Sequence, residues 1–194
     1  MSEESKFPSD SGAALALLLK EKGLLAISQR CWRILAPKWA HDPLSGEGAS
    51  RFGGRFNAKG VPALYLSESI DTAFAEYQQD LQVRPGTFCA YQLDVSKIVD
   101  LCNAQVCKAI SVDKGSLLSP WKETLLVNKS TPPTWELSSQ LMSQGFAGVR
   151  VPSAQMKEGV NIVLWRWNDD PSRRVIVLDP RGELPRDQKS WQSL

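Results

Sequence analysis

Residues 37–60 show no apolar periodicity, and they hold Pro37, Pro43 and five glycines (Gly46, Gly48, Gly53, Gly54 and Gly60). Loops this long inside a compact domain are usually functional or disordered. Short apolar runs flank the segment, CWRILA at 31–36 and VPALYLS at 61–67, and both read as strands. Two arginines, Arg51 and Arg55, lie within it. Glycines let backbone N–H groups come close to an anion, and the arginine fork matches two phosphate oxygens. The stretch 45–76 is therefore predicted to hold an anion, with phosphate the best fit. It matches neither GxxxxGK[ST] nor a GxGxxG that follows a strand and opens a helix, so neither a P-loop nor a Rossmann site is supported.

The remaining elements come in mixed order. Residues 1–10 are predicted to be a disordered lead, and AALALLLKEKG is a run of helix formers stopped by Gly23. After VPALYLS, either Ser67 or Ser69 can cap a helix in which Ile70, Ala73, Phe74, Tyr77 and Leu81 form the predicted core face, with Glu76 at its border. TFCAYQLDV at 87–95 alternates with a period of two and KIVDL at 97–101 extends the β region. Short helices are expected around 104–110 and 117–126, the second carrying Trp121. A longer helix follows Thr134, its predicted N-cap, and ends at Gly145. Strands are predicted at 146–152, 160–167 and 173–179, then a turn-rich tail in which Trp191 docks on the body. This order predicts a single α+β domain, with a mixed or antiparallel β core and flanking helices.

Charge and cysteines narrow the partners. A formal net charge of +2 without a basic block excludes direct nucleic-acid binding as the leading function. Cys31, Cys89, Cys102 and Cys107 with a lone His41 lack the close pairs of a structural zinc site, so no metal is expected. They read as thiols in a reducing cytosol. The start MSEESKFPSD lacks the basic opening of a secretory signal, and the apolar run after it is too short for a bilayer. A cytoplasmic protein with no membrane contact is expected.

Arg55, Tyr65 and Glu76 stand ten and eleven residues apart on the loop, the second strand and the next helix. An arginine grips phosphate, a tyrosine face stacks on a heteroaromatic ring, and a carboxylate stabilises the oxocarbenium-like charge of a breaking glycosidic bond. Together they suit a phosphorylated N-glycoside. Each also has a plainer role: Arg55 pairing with Asp42 or Glu47, Tyr65 filling the core, Glu76 on a solvated face. Arg33, within an otherwise apolar strand, needs an anion unless its stem reaches solvent at a sheet edge.

The motifs WRI, then GGRFNAKGVPALYLSESIDTAFAEY, then VPSA, NIVLWRW and DPRGELPRDQKSW resemble the RES domain, from about Cys31 to Trp191. The resemblance implies an ADP-ribosyltransferase-like fold over 31–194, after an N-terminal extension at 1–30 with a short helix. It implies a toxin that consumes NAD+, cleaving the nicotinamide–ribose bond by hydrolysis or phosphorolysis, with inorganic phosphate as a co-substrate in the second case and no cofactor. It puts Arg55, Tyr65 and Glu76 in the catalytic positions. Arg33, Gly54, Ser153 and Asn161 fall in the NAD+-binding ones, Arg33 on the pyrophosphate. The implied partner is an Xre-like antitoxin, and a homodimer is among the implied assemblies. Ser153, after Pro152, would otherwise cap a turn, and Asn161 would satisfy backbone groups. Two other functions share these residues: transfer of ADP-ribose to a protein, and a non-catalytic nucleotide- or partner-binding module.

Overall fold

The computed structural model describes residues 24–78 and 84–191, with the side chains of Ser190 and Trp191 outside it. The predicted lead and first helix, Leu81, and the docking of Trp191 lie outside the described residues. Thr87–Asp100 forms the longest strand, β3, because Cys89, Tyr91, Leu93 and Val95 alternate inward, each at most 3% exposed. The two segments predicted here are one strand. Lys97 adopts a left-handed φ of 62°, where the pairing with the first strand slips. This bulge shifts the phase, so that Ile98 and Val99 are both buried and serve different clusters.

Around β3 the sheet closes on itself. β1 (Leu24–Leu35) runs antiparallel to β3 from Leu24 opposite Val99 to Leu35 opposite Thr87. β2 (Leu64–Ser67) meets β1 where Trp32 faces Ser67 and pairs along its length with β5 (Val160–Leu164). β5 pairs with β4 (Gly148–Pro152), which lies parallel to the end of β3, completing a ring β1-β2-β5-β4-β3. β6 (Arg173–Val177) adds to β3. The fold is α+β, a small barrel with one parallel joint.

Alternation along β2 and β5 decides what faces the site. Leu64, Leu66, Ile162 and Leu164 join Tyr91 and Leu93 in one core cluster. Tyr65 and Val163, paired across the strands, join the other. Helices α3 (Ala104–Ala109), α4 (Lys114–Leu117), α5 (Trp121–Leu126) and α6 (Pro133–Ser143) cover that second face, burying Val106, Leu117 and Leu141 against Val149 and Val163. Thr134 is not the N-cap of α6. The helix starts behind Pro132 with no side-chain cap, and the buried Thr134 hydroxyl donates to the Arg55 carbonyl instead. Gly145, at φ 80°, ends it as expected.

Two further expectations change. The predicted loop at 37–60 contains a 3-10 turn, Pro37–Trp39, and a helix, α1 (Glu47–Phe52), bounded by Gly46 and Gly53. In α2 (Ile70–Tyr77), capped by Ser69 accepting from the Thr72 N–H, the core face keeps Ala73 of the predicted stripe but not Ile70 or Phe74. Thr72 and Ala73 are buried while Ile70 and Phe74 are 50% and 48% exposed. The helix is rolled so that Glu76, not Phe74, faces β5, because two hydrogen bonds hold its carboxylate there. At the end of the barrel, Arg150 grips Glu68 through Nε and Nη2 (2.7 and 2.9 Å) and Asp100 through Nη1 (3.3 Å), tying β4 to β3 and to the β2–α2 link.

Candidate active site

Glu76 projects from α2 toward the loop after β4 and the start of β5. Its Oε1 accepts from Ser153 Oγ at 2.7 Å and from Asn161 Nδ2 at 2.6 Å. Both donors are themselves fixed. Ser153 Oγ accepts the N–H groups of Gln155 and Met156, each at 3.1 Å, so its proton is aimed at the carboxylate. The turn-capping role and the site role of Ser153 thus coexist. Asn161 Oδ1 accepts from Ser67 Oγ at 2.7 Å, which turns its amide nitrogen toward Glu76. Oε2 of Glu76 takes no hydrogen bond among the described residues and remains for a ligand.

The carboxylate borders a cavity of about 570 Å³ whose walls include Arg55, Tyr65, Trp121 and Asn161. Arg55 pairs with neither Asp42 nor Glu47. Its Nη1 donates to the Ser119 carbonyl, while Glu47 takes Arg51 at 2.7 Å. Burial pulls the Arg55 guanidinium below its usual range and the charge of Glu76 pushes back. The Tyr65 hydroxyl donates to Asn57 Oδ1 at 2.7 Å and accepts the Phe56 N–H at 3.0 Å. Burial drives its ionisation upward, so it is a neutral, anchored phenol whose ring forms part of the wall.

Gly54 also lines the cavity, for a different reason than anion approach. A Cβ there would lie 2.3 Å from the Tyr65 hydroxyl. The N–H groups of Gly53, Gly54 and Gly60 donate to Ala49, Asn57 and Ser50 carbonyls, so these glycines form no phosphate cradle. The cation this loop presents to the cavity is the Arg55 side chain.

Arg33 stands apart from the larger cavity. It borders a smaller one of about 220 Å³ that shares Tyr65, Glu76 and Asn161 as walls, so the two cavities meet at the carboxylate. The Arg33 side chain does not reach out to solvent from a sheet edge but turns to the 43–45 segment. Its Nη1 donates to the Pro43 and Ser45 carbonyls at 3.4 and 3.2 Å, and no carboxylate pairs with it among the described residues. Burial lowers its pKa, opposed most by the Tyr91 phenol.

Sequence reasoning missed three supports. Asn57 is fully buried, and its Nδ2 donates to the Ala49, Ala58 and Val61 carbonyls, folding the loop under Tyr65. Ser67 orients Asn161. Trp135 donates to the Gly54 carbonyl at 2.7 Å, and its ring meets Trp121 at 6.5 Å. Only the strand pairing of Ser67 with Asn161 could have been anticipated, from two polar residues on adjacent strands. No helix is long and apolar enough to cross a membrane and no metal-ligand cluster occurs, among the described residues.

The molecule is thus an α+β barrel that presents an oriented glutamate, an arginine and an anchored tyrosine to one cleft. The family model of the RES domain matches residues 30–187, and the chain belongs to that family. It is 31% identical over 156 residues to the NAD(+) phosphorylase MbcT of Mycobacterium tuberculosis and of Mycobacterium bovis, covering 74% of this chain and 75% of the relative. The fold is similar to a chain of the crystal structure of the M. tuberculosis MbcT–MbcA toxin–antitoxin complex. The TM-score is 0.56 at 24% identity, over 86% of this chain and 92% of that one.

Proposed function

We propose that the protein is a toxin that depletes NAD+ by phosphorolysis of the nicotinamide–ribose bond. The observation that carries this reading is the Glu76 carboxylate, held at Oε1 by Ser153 and Asn161 with Oε2 left to the cavity. A fixed carboxylate facing an anomeric carbon stabilises the positive charge that develops as the glycosidic bond breaks. Arg55 neutralises anionic oxygen, and Tyr65, its hydroxyl tethered, offers its ring to the nicotinamide. Arg33, on the adjoining cavity, is suited to the pyrophosphate. As the carbon–nitrogen bond breaks, nicotinamide leaves neutral with the electron pair, and a phosphate oxygen bonds to the same carbon. The product is ADP-ribose phosphorylated at that carbon.

Membership of the RES family and the 31% identity to a named NAD(+) phosphorylase support phosphate over water as acceptor. An antitoxin partner, of the Xre-like type, and action in the cytoplasm on the cell's NAD+ complete the reading. An N-terminal extension is proposed to precede the RES domain, but residues 24–30 are not part of it, since they form the start of β1 and pair with β3. The test is product analysis of NAD+ incubated with the purified chain, with and without inorganic phosphate. Phosphate-dependent nicotinamide release with a phosphorylated ADP-ribose product is expected. Free ADP-ribose would shift the reading to hydrolysis, label retained on protein would shift it to ADP-ribosyl transfer, and no nicotinamide release would overturn it.

A further inference from the structure

A second aromatic cavity of about 220 Å³ opens beside α1, away from Glu76, with Arg33, Trp39, His41, Asp42 and Phe52 among its walls. It adjoins the site at two residues. Phe52 lines both this cavity and the larger one, and Arg33 lines both this cavity and the smaller one next to Glu76. Phe52 is 68% exposed and Trp39 47% exposed, two large rings at a cavity mouth. The ring of Trp39 lies 6.4 Å from that of His41, and Lys38 Nζ sits 5.4 Å from its centroid. The charged groups are of both signs. Arg51 and Glu47 neutralise each other on the rim, which leaves Arg33 and Asp42, not ion-paired to each other.

An aromatic face and, among the described residues, a guanidinium without a carboxylate partner and a carboxylate without an ion pair are, in turn, complements of a purine ring, a phosphate and a ribose diol. We infer that this cavity is the subsite for the adenosine half of the substrate, with adenine against Trp39 and His41 and the ribose hydroxyls toward Asp42. Arg33 lies at the junction, so a pyrophosphate held there sends the nicotinamide riboside toward Glu76 and the adenosine the other way. Phe52 separates the two halves. The assignment rests on the NAD+ reading above and extends it to the part of the ligand where no bond breaks.

The experiment uses ADP as a probe of that half, in calorimetric titrations of the wild type and of Trp39→Ala, His41→Ala and Phe52→Ala, alongside NAD+ kinetics. Loss of a stacking surface is expected to weaken ADP binding about tenfold in Trp39→Ala and raise KM for NAD+ by a similar factor, with kcat little changed. Turnover of nicotinamide mononucleotide, which lacks the adenosine half, is expected to be the same in variant and wild type. Thermal melts check folding, and three variants at separate positions keep one misfolded protein from deciding the outcome. Wild-type ADP affinity in all folded variants, or no ADP binding by the wild type, overturns the subsite. If ADP binds through Trp39 while the wild type releases no nicotinamide, the subsite stands and the enzymatic reading falls.

Discussion

The hydroxyl of Tyr65 rests on the Cα of Gly54 so closely that a Cβ at residue 54 would lie 2.3 Å from the oxygen. This contact sets the position of the tyrosine in the cleft, and Asn57 receives its proton from below. Gly54→Ala is expected to displace Tyr65 or the loop, costing about 1–3 kcal/mol of stability as overpacking does, together with most of the activity. Tyr65→Phe removes the nearest of the clashing atoms but leaves Asn57 Oδ1 at 2.5 Å and the ring carbon at 2.8 Å, so in the double variant the two stability losses should fall somewhat short of additivity. Denaturant unfolding of the four proteins measures this, and strict additivity would refute the contact.

Ser153 and Asn161 both hold the Glu76 carboxylate through its Oε1. Ser153→Ala is expected to lower kcat about 10- to 100-fold, the effect of losing one hydrogen bond to a charged group, while KM changes less. Asn161→Asp should be worse, since it brings a second carboxylate against Oε1. Steady-state release of nicotinamide separates the two parameters. A KM effect alone in Ser153→Ala would count against the positioning role.

Arg150 braces the end of the barrel and lines none of the cavities described above. With side chains about one quarter exposed, at 25% for Arg150 and 22% for Glu68, the pair is screened, and Arg150→Ala is expected to cost only about 1–3 kcal/mol. The melting temperature should fall while KM for NAD+ in the folded fraction stays the same.

Stability should decline in alkali. Burial pushes the Cys31 thiol up from 9.0 to about 12 and raises the Tyr65 and Tyr91 phenols as well. These groups stay protonated in the folded state after the unfolded chain has begun to ionise. Their contribution is therefore whole below pH 9 and is lost as pH rises toward their folded values. Urea midpoints compared at pH 8 and at pH 10.5 should show the drop, and Cys31→Ala should make it shallower; an unchanged slope would remove Cys31 as a cause.

The strands were legible because their alternation is a direct consequence of one face being buried, as at Cys89, Tyr91, Leu93 and Val95. α1 was not, since six residues between glycines carry too little period to register, and its i,i+4 pair of Glu47 with Arg51 shows only once the helix is known. The roll of α2 was hidden too: Phe74 looks like core by spacing, but hydrogen bonds to Glu76 from residues more than seventy positions away decide which face turns inward. Arg55, Tyr65 and Glu76 could be singled out as residue types. Ser153 and Asn161 came only through family resemblance, and Asn57 through nothing at all, because a buried asparagine is recognised by the carbonyls around it.

β2, the strand of Tyr65, meets β1 at a single register pair, Trp32 with Ser67, and takes the rest of its partners from β5. Residues 160–164 therefore both seat the tyrosine and deliver Asn161 to the carboxylate. During synthesis the ribosome must release this late segment before either event can occur. Until then the chain already carries Arg55, Tyr65 and Glu76 but lacks the geometry that brings them to one cleft, so the site is completed late, by the same strand that closes the barrel.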